Sequence, residues 1–380
     1  MKVYLDNSAT TRPDDQVIQT MSLSMSNHYF NPSALYPPAV EVDQMMAECR
    51  RNIQRILNSP GQVIFTSSGT EADNLAILGT VKNNHQHGRI LHSAGEHAAV
   101  LESCKYLSES GYDVESIPLK RDGQIDMIKY EKLLTENTQL ISIMQINNET
   151  GAVSPISQIS KLRDAICPDA HLHVDGVQGF LRHDCNAFDL GIDSYALSAH
   201  KFHGPKGIGA LWISDRVTMS ALIRGGGQEN GIRSGTQNTS GIAGMNRAIE
   251  IYPRINNMRN MKLRLYRHLL IKIPELIING SDPEAITSAD HILNISLPPV
   301  RSETMLNALA AVNVYVGNGS ACSSKKRQSS HVLKAMKTNQ NIIDSAIRLS
   351  LNPNITEMQI DYAVECIADI YKKFKPFVRR

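Results

Sequence analysis

Short apolar runs alternate along the chain with stretches whose apolar residues recur at helical spacing, and small or polar residues separate them. A strand at 3–8 and a helix at 14–25 come first. Prolines at 32, 37 and 38 then make 26–38 read as irregular, with a helix over 40–57. Strands are expected at 63–66, 89–92, 113–118, 140–145, 171–175, 195–197 and 208–213, and helices between them at 72–81, 98–110, 129–134 and 156–165. This alternation predicts an α/β fold, a mostly parallel sheet with helices on both faces. A long connecting helix is expected over 249–270. Beyond it, strands at 292–297, 312–316 and 346–351 and helices at 303–311 and 357–372 predict a smaller α+β unit. Two domains are therefore expected: a large one over 13–252 and a small C-terminal one over 253–380 joined by residues 1–12.

In such sheets ligands sit beyond the carboxyl ends of the strands. Thr70, His97, Asn148, Asp175 and Lys201 each follow directly on an expected strand, so five polar groups should converge on one rim. Ser67–Ser68–Gly69–Thr70–Glu71 is a strand-to-helix turn whose backbone N–H groups and hydroxyls suit an anion. A serine-rich helix cap without a ligand is the plain alternative. Lys201, at the mouth of a buried strand, would lie against low-dielectric walls that favour the neutral amine, the form that attacks carbonyls. A solvated hairpin lysine is the alternative there. The Gly-rich stretch 224–236 carries Arg224, Arg233, Ser234 and Thr236, suited to another anion contact. Cys322 sits among small residues just ahead of Lys325, Lys326 and Arg327. That pattern implies an exposed, mobile loop and a thiol biased toward thiolate.

Composition narrows the class. At 380 residues, 42% hydrophobic and 20% charged, the chain can build a large core. A net charge of +2 gives no reason to expect nucleic-acid or membrane binding. Six cysteines without CxxC pairing suit a reducing cytosol. The N-terminus lacks a signal-peptide pattern, and no apolar stretch has the length of a membrane span, so a cytoplasmic protein is expected. His85, His87, His171 and His173 lack convergent partners of the right kind, and no metal site is expected.

A lysine paired with a strand-end aspartate is what a pyridoxal phosphate site requires, the lysine for a Schiff base and the aspartate to keep the ring nitrogen protonated. Ser-Ser-Gly-Thr-Glu at 67–71, Asn-Asn-Glu-Thr-Gly at 147–151, Val-Asp-Gly-Val-Gln at 174–178, Ser-Ala-His-Lys at 198–201, Arg-Ser-Gly-Thr at 233–236 and Gly-Ser-Ala-Cys at 319–322 stand in the order of one family. Across essentially its whole length the chain resembles the NifS/IscS-type cysteine desulfurases, class V aminotransferase relatives of fold-type I. The resemblance implies a pyridoxal 5′-phosphate enzyme with Lys201 holding the cofactor, Asp175 at its ring nitrogen and Gln178 at its phenolic oxygen. It places His97 against the ring as a proton shuttle, and Gly69, Thr70, Ser198 and His200 on the phosphate. Thr236 would reach the phosphate from the partner subunit of a homodimer. Arg348 would clamp the substrate carboxylate, with Asn148 nearby.

The implied reaction converts L-cysteine to L-alanine, with sulfur leaving as a persulfide on Cys322 for a sulfur-acceptor protein. The chain departs from the family where Asn31–Pro32–Ser33 leads to Ala34–Leu35–Tyr36 rather than to a histidine, and where it ends at Arg380 without the extension used to dock an iron–sulfur scaffold. The basic run after Cys322 resembles forms serving other acceptors, such as tRNA or thiamine thiolation or DNA phosphorothioation. Selenocysteine lyase, another fold-type I enzyme, or a non-catalytic sulfur carrier are the competing readings. Cys322 argues against an aminotransferase, and intact Lys201, Asp175 and His97 argue against a carrier.

Overall fold

A computed structural model describes residues 1–82, 88–253, 256–318 and 329–377. Its strands in chain order are β1 (Val3–Leu5), β2 (Gln62–Thr66), β3 (Arg89–Ser93), β4 (Asp113–Ile117), β5 (Thr138–Met144), β6 (His171–Asp175), β7 (Ser194–Ser198), β8 (Gly209–Ile213), β9 (Ile277–Ile278), β10 (Ile292–Ser296), β11 (Val314–Val316) and β12 (Ala346–Ser350). The first four helices are α1 (Asp15–Asn27), α2 (Pro37–Ile56), α3 (Gly69–Lys82) and α4 (Ala98–Glu109).

Seven strands form one sheet in the order β2-β8-β7-β6-β5-β3-β4. Neighbours from β4 to β7 pair in parallel, while β8 runs antiparallel to both β7 and β2. Every residue of β6, β7 and β8 is buried, as expected of strands covered on both faces. The α/β expectation holds. On α2, Val42, Met46, Cys49 and Ile53 face the core at helical spacing.

A second sheet, β12-β10-β9, and the parallel pair β1-β11 surround a separate apolar cluster that includes Val3, Leu5, Leu293, Ile347 and Ile367. The N-terminal strand thus adds to the C-terminal part of the chain. The intervening helices His331–Ala335 and Gln340–Asp344, absent from the sequence reading, instead place Val332, Leu333, Met336 and Ile343 in the larger core.

Two of the differences from expectation lie at prolines. Residues 37 and 38 are not outside the second helix but open it, because a first-turn proline gives up an N–H that has no helical partner anyway. The single helix expected over 249–270 is two, Thr239–Ile251 and Met258–Lys272, with Pro253 in the break, where it disfavours helical geometry at the residue before it.

Candidate functional site

The carboxyl ends of β2, β3, β5, β6 and β7 open onto one cavity of about 510 Å³. Thr70, His97, Asn148, Asp175 and Lys201 all line it, so the five strand-end groups do converge. Gly69, Gln178, Ser198, His200 and Arg348 join them. Thr236 does not reach this cavity in its own chain and is exposed. Cys322 lies outside the described residues.

Asp175 ends β6 and is buried, with its Oδ1 accepting from the Val177 N–H at 3.0 Å. Burial pushes its pKa up, against the pull of His97, that N–H and Lys201. Gly176 lets the chain turn immediately afterwards: a Cβ there would fall 1.8 Å from Cζ of Tyr195. Gln178 is fixed by two bonds. Its Nε2 donates to the Ser8 carbonyl at 2.9 Å, and its Oε1 accepts from Arg182 at 3.0 Å.

Lys201 ends a 3-10 turn at Ala199–Lys201 directly after β7. Its Nζ donates to the carbonyls of Ser8 at 2.7 Å and Ala9 at 2.9 Å. The solvated-hairpin alternative is therefore not what forms. Next to it, His200 touches Thr10 Oγ1 at 3.1 Å, and burial first, then Lys201, push its pKa down to about 3. It offers an anion a neutral imidazole rather than a charge.

At the start of α3 both readings of the serine turn have a part. Ser68 Oγ accepts from the Glu71 N–H at 3.1 Å and so caps the helix, while Glu71 Oε2 accepts from the Ser67 N–H at 2.7 Å. Gly69 and Thr70 remain as first-turn residues whose N–H groups have no intrahelical acceptor. A Cβ at Gly69 would fall 2.7 Å from Val177 Cγ2, so glycine lets this helix end approach the β6 turn.

His97 is likewise a cap. Its Nδ1 accepts from the Ala99 N–H at 3.1 Å at the start of α4, which leaves Nε2 as the nitrogen that carries the proton in the neutral ring. Arg348, on β12, donates from Nη1 to the Asn148 carbonyl at 2.8 Å and from Nη2 to Asp6 at 2.7 Å. Its Nε is buried without an acceptor among the described residues. Gly317 exchanges backbone bonds with Arg348, at 3.0 and 2.7 Å, and Ser329 lines the cavity. The described residues on either side of Cys322 therefore both meet the site.

Sequence reasoning missed several cavity residues. Ser8 and Ala9 arrive from the N-terminal turn, and His331 follows the cysteine segment, its Nε2 2.9 Å from the Glu96 carbonyl. Asp73 lies one turn along α3 and is buried. Glu96, fully buried, accepts from Ser93 Oγ and from the Met144 N–H, each at 2.6 Å, yet burial pushes it up to about 8. The signals were present: Asp73 and Glu96 are carboxylates inside otherwise apolar or small-residue segments.

The aminotransferase class-V family profile matches residues 3–363. Cysteine desulfurase IscS of Clostridium botulinum is 35% identical over 381 residues, covering 98% of this chain and 95% of its own length. Among solved structures, a NifS-like protein superposes with a TM-score of 0.90 at 34% identity, covering 98% of this chain and all of the other. A structure of SspA in complex with cysteine superposes at 0.83 with 30% identity, covering 94% and 100%. Among the described residues no helix is long and apolar enough to cross a membrane.

Proposed function

The chain belongs to the aminotransferase class-V family and is a cysteine desulfurase; from that premise we propose how its cavity does the work. Lys201 would hold pyridoxal 5′-phosphate, with Asp175 at the ring nitrogen, Gln178 at the phenolic oxygen and His97 against the ring. Gly69, Thr70, Ser198 and His200 would take the phosphate, and Thr236 of a second copy would complete that cradle. The observation that carries this reading is the meeting of Lys201 and a buried Asp175 in one cavity, opposite the glycine-started end of α3. Desolvation outweighs the pull of His97 and Lys201 on the buried Asp175 carboxylate, and a protonated ring nitrogen would add a further cationic partner. The close approach at Gly69 leaves first-turn N–H groups for a phosphate.

Bound there, the cofactor supplies an electron sink that labilises the bonds at Cα and Cβ of an amino acid joined to it. The protein does the rest. Arg348, which lines the cavity and uses one N–H of each Nη for Asn148 and Asp6, orients the carboxylate of L-cysteine with its remaining donors. Lys201 takes the Cα proton, and His97 moves protons through Nε2 because Nδ1 is engaged. Cys322 thiolate then takes the substrate sulfur: an S–S bond forms as the Cβ–S bond breaks, and L-alanine leaves. Cys322 stands five positions after Gly317. A chain of that length spans at most about 18 Å, measured from Gly317, whose backbone pairs with the cavity residue Arg348.

The same reading makes the enzyme a cytoplasmic homodimer that passes sulfur to an acceptor protein. Exposed Tyr29, Leu35 and Tyr36 between α1 and α2, with Thr236 exposed and away from its own cavity, support a second copy. Two apolar clusters support a body over 13–252 and a smaller one over 253–380 with 1–12, with Val332, Leu333, Met336, Ile343 and Ala346 of the smaller one packed into the larger core.

The test is purification with the cofactor. Wild type should be yellow and release sulfide from L-cysteine under reductant, while Lys201→Ala should lose the colour. Cys322→Ser should keep the colour and release none. Sulfide release that survives in Cys322→Ser overturns the nucleophile, and a colourless wild type overturns the cofactor. Rates with L-cysteine and L-selenocysteine side by side decide the selectivity.

A further inference from the structure

Alternation along a strand puts His171, His173 and Asp175 on the same face of β6. Only the last of the three is used above. His171, at the other end of the strand, lines a polar cleft of about 420 Å³ together with Asp193 and Arg216. From there a line of contacts runs through the interior. His171 Nε2 lies 2.7 Å from Ser194 Oγ, which lies 2.9 Å from His173 Nδ1. His173 Nε2 lies 3.2 Å from Asp73 Oδ1, and Asp73 lines the same cavity as Asp175 and Lys201. Ser194 and His173 are wholly buried, so nothing along the middle of the line meets water.

We propose that His171, Ser194, His173 and Asp73 form a proton relay joining the cleft at the amino end of β6 to the floor of the cofactor cavity at its carboxyl end. Every heavy atom the relay needs is already at hydrogen-bond distance. In one sense Asp73 donates to His173 Nε2, His173 Nδ1–H donates to Ser194, and Ser194 donates to His171 Nε2. For one proton to leave, Asp73 gives its proton to His173, His173 gives its other proton to Ser194, and Ser194 gives its own to His171. His171 then releases the proton on Nδ1 to the cleft. Asp73 ends as the anion, both histidines end neutral in the opposite tautomer, and every bond points the other way. One proton has passed along the strand while no heavy atom has moved.

The surroundings favour this neutral, switchable state. Desolvation lowers the pKa of His171 to about 4 and of His173 to about 3, while Asp193 pulls the former up and Arg163 and Arg216 push it down. Burial, then Asp175 and Glu96, raise Asp73 well above an ordinary carboxyl. On the reading that the cavity holds the cofactor, the relay lets Asp73 shed or regain a proton while ligands fill the site, so that Asp175 can keep the charge that faces the ring.

The experiment follows histidine tautomers by long-range proton–nitrogen spectra of 15N-histidine protein, loaded with cofactor and again after its removal. In wild type His171 and His173 should switch tautomer together, with one pH midpoint. Asp73→Asn should abolish the switch at both. Ser194→Ala should keep it at His173 and lose it at His171. Separate midpoints or no switch in wild type, or a His171 switch that survives Ser194→Ala, would overturn the relay. The wild-type measurement decides the matter even if a variant fails to fold. Because the cofactor-free protein gives the same readout, failure of the relay is distinguishable from failure of the cofactor assignment, which is read from colour.

Discussion

Arg348 Nη2 donates to Asp6 Oδ1 at 2.7 Å, although the two residues stand 342 positions apart. The arginine read as the substrate clamp is thus already fastened, by Asp6 on one nitrogen and by the Asn148 carbonyl on another. Fastening fixes the plane of the guanidinium before substrate arrives, which lowers the ordering cost of binding.

A lysine offers a single nitrogen on a flexible stem, so it cannot reproduce the planar fork that bridges both anchors and faces the substrate carboxylate. Arg348→Lys should therefore raise KM for L-cysteine by roughly ten- to a hundredfold, the worth of one charge-assisted hydrogen bond of about 1.5–3 kcal/mol. The yellow cofactor should remain. Steady-state alanine formation with an absorbance spectrum of each variant checks both parts.

His97 caps α4 and, on the proposed function, also moves protons; one pair of variants separates the two. Asparagine is a strong helix cap and alanine is not. His97→Asn should keep the unfolding midpoint, whereas His97→Ala should cost about 1 kcal/mol. Both should lose the proton shuttle, lowering kcat by about 10²–10⁴-fold. Thermal unfolding and turnover measured on the same samples decide it; equal activity in His97→Asn and wild type would remove His97 from the chemistry.

Glu96 should make stability depend on pH. Its pKa in the fold is pushed up to about 8 by burial, above the ordinary value of 4.5. The folded protein therefore keeps a proton that the unfolded chain gives up, so stability falls as pH rises from the ordinary carboxyl range to about 8. Glu96→Gln, which stays neutral, should flatten that slope and be more stable than wild type above it, by on the order of a few kcal/mol. Urea unfolding across the range tests this. Parallel pH curves for the two proteins would show that Glu96 does not titrate there.

Gly176 sets how tightly the chain turns beneath Asp175. With a Cβ placed 1.8 Å from Tyr195 Cζ, and the Tyr195 hydroxyl held by Gln145 at 2.6 Å, the ring has little freedom to yield. Gly176→Ala should cost about 1–3 kcal/mol or more and weaken cofactor retention through the displaced Asp175. Denaturation midpoints and cofactor loss on dialysis report each effect.

The amino-acid order alone determined the strands, their terminal residues and therefore the chemistry on the rim. Asp175 ends β6, Lys201 follows β7 and His97 caps α4, and each is legible because apolar runs and helix starts are properties of neighbouring residues. Pro37 was visible but misplaced, and Pro253 was overlooked, since a helix boundary depends on which N–H groups already lack partners and on the residue before a proline. Only the tertiary structure decided that Ser8 and Ala9 would hold the Lys201 amine, that Asp6 would hold Arg348, and that His173 would meet Asp73 from 100 residues away. Those contacts follow from the order in which strands assemble and from β1 joining the far end of the chain, and no local period in a sequence encodes which distant segment closes over a site.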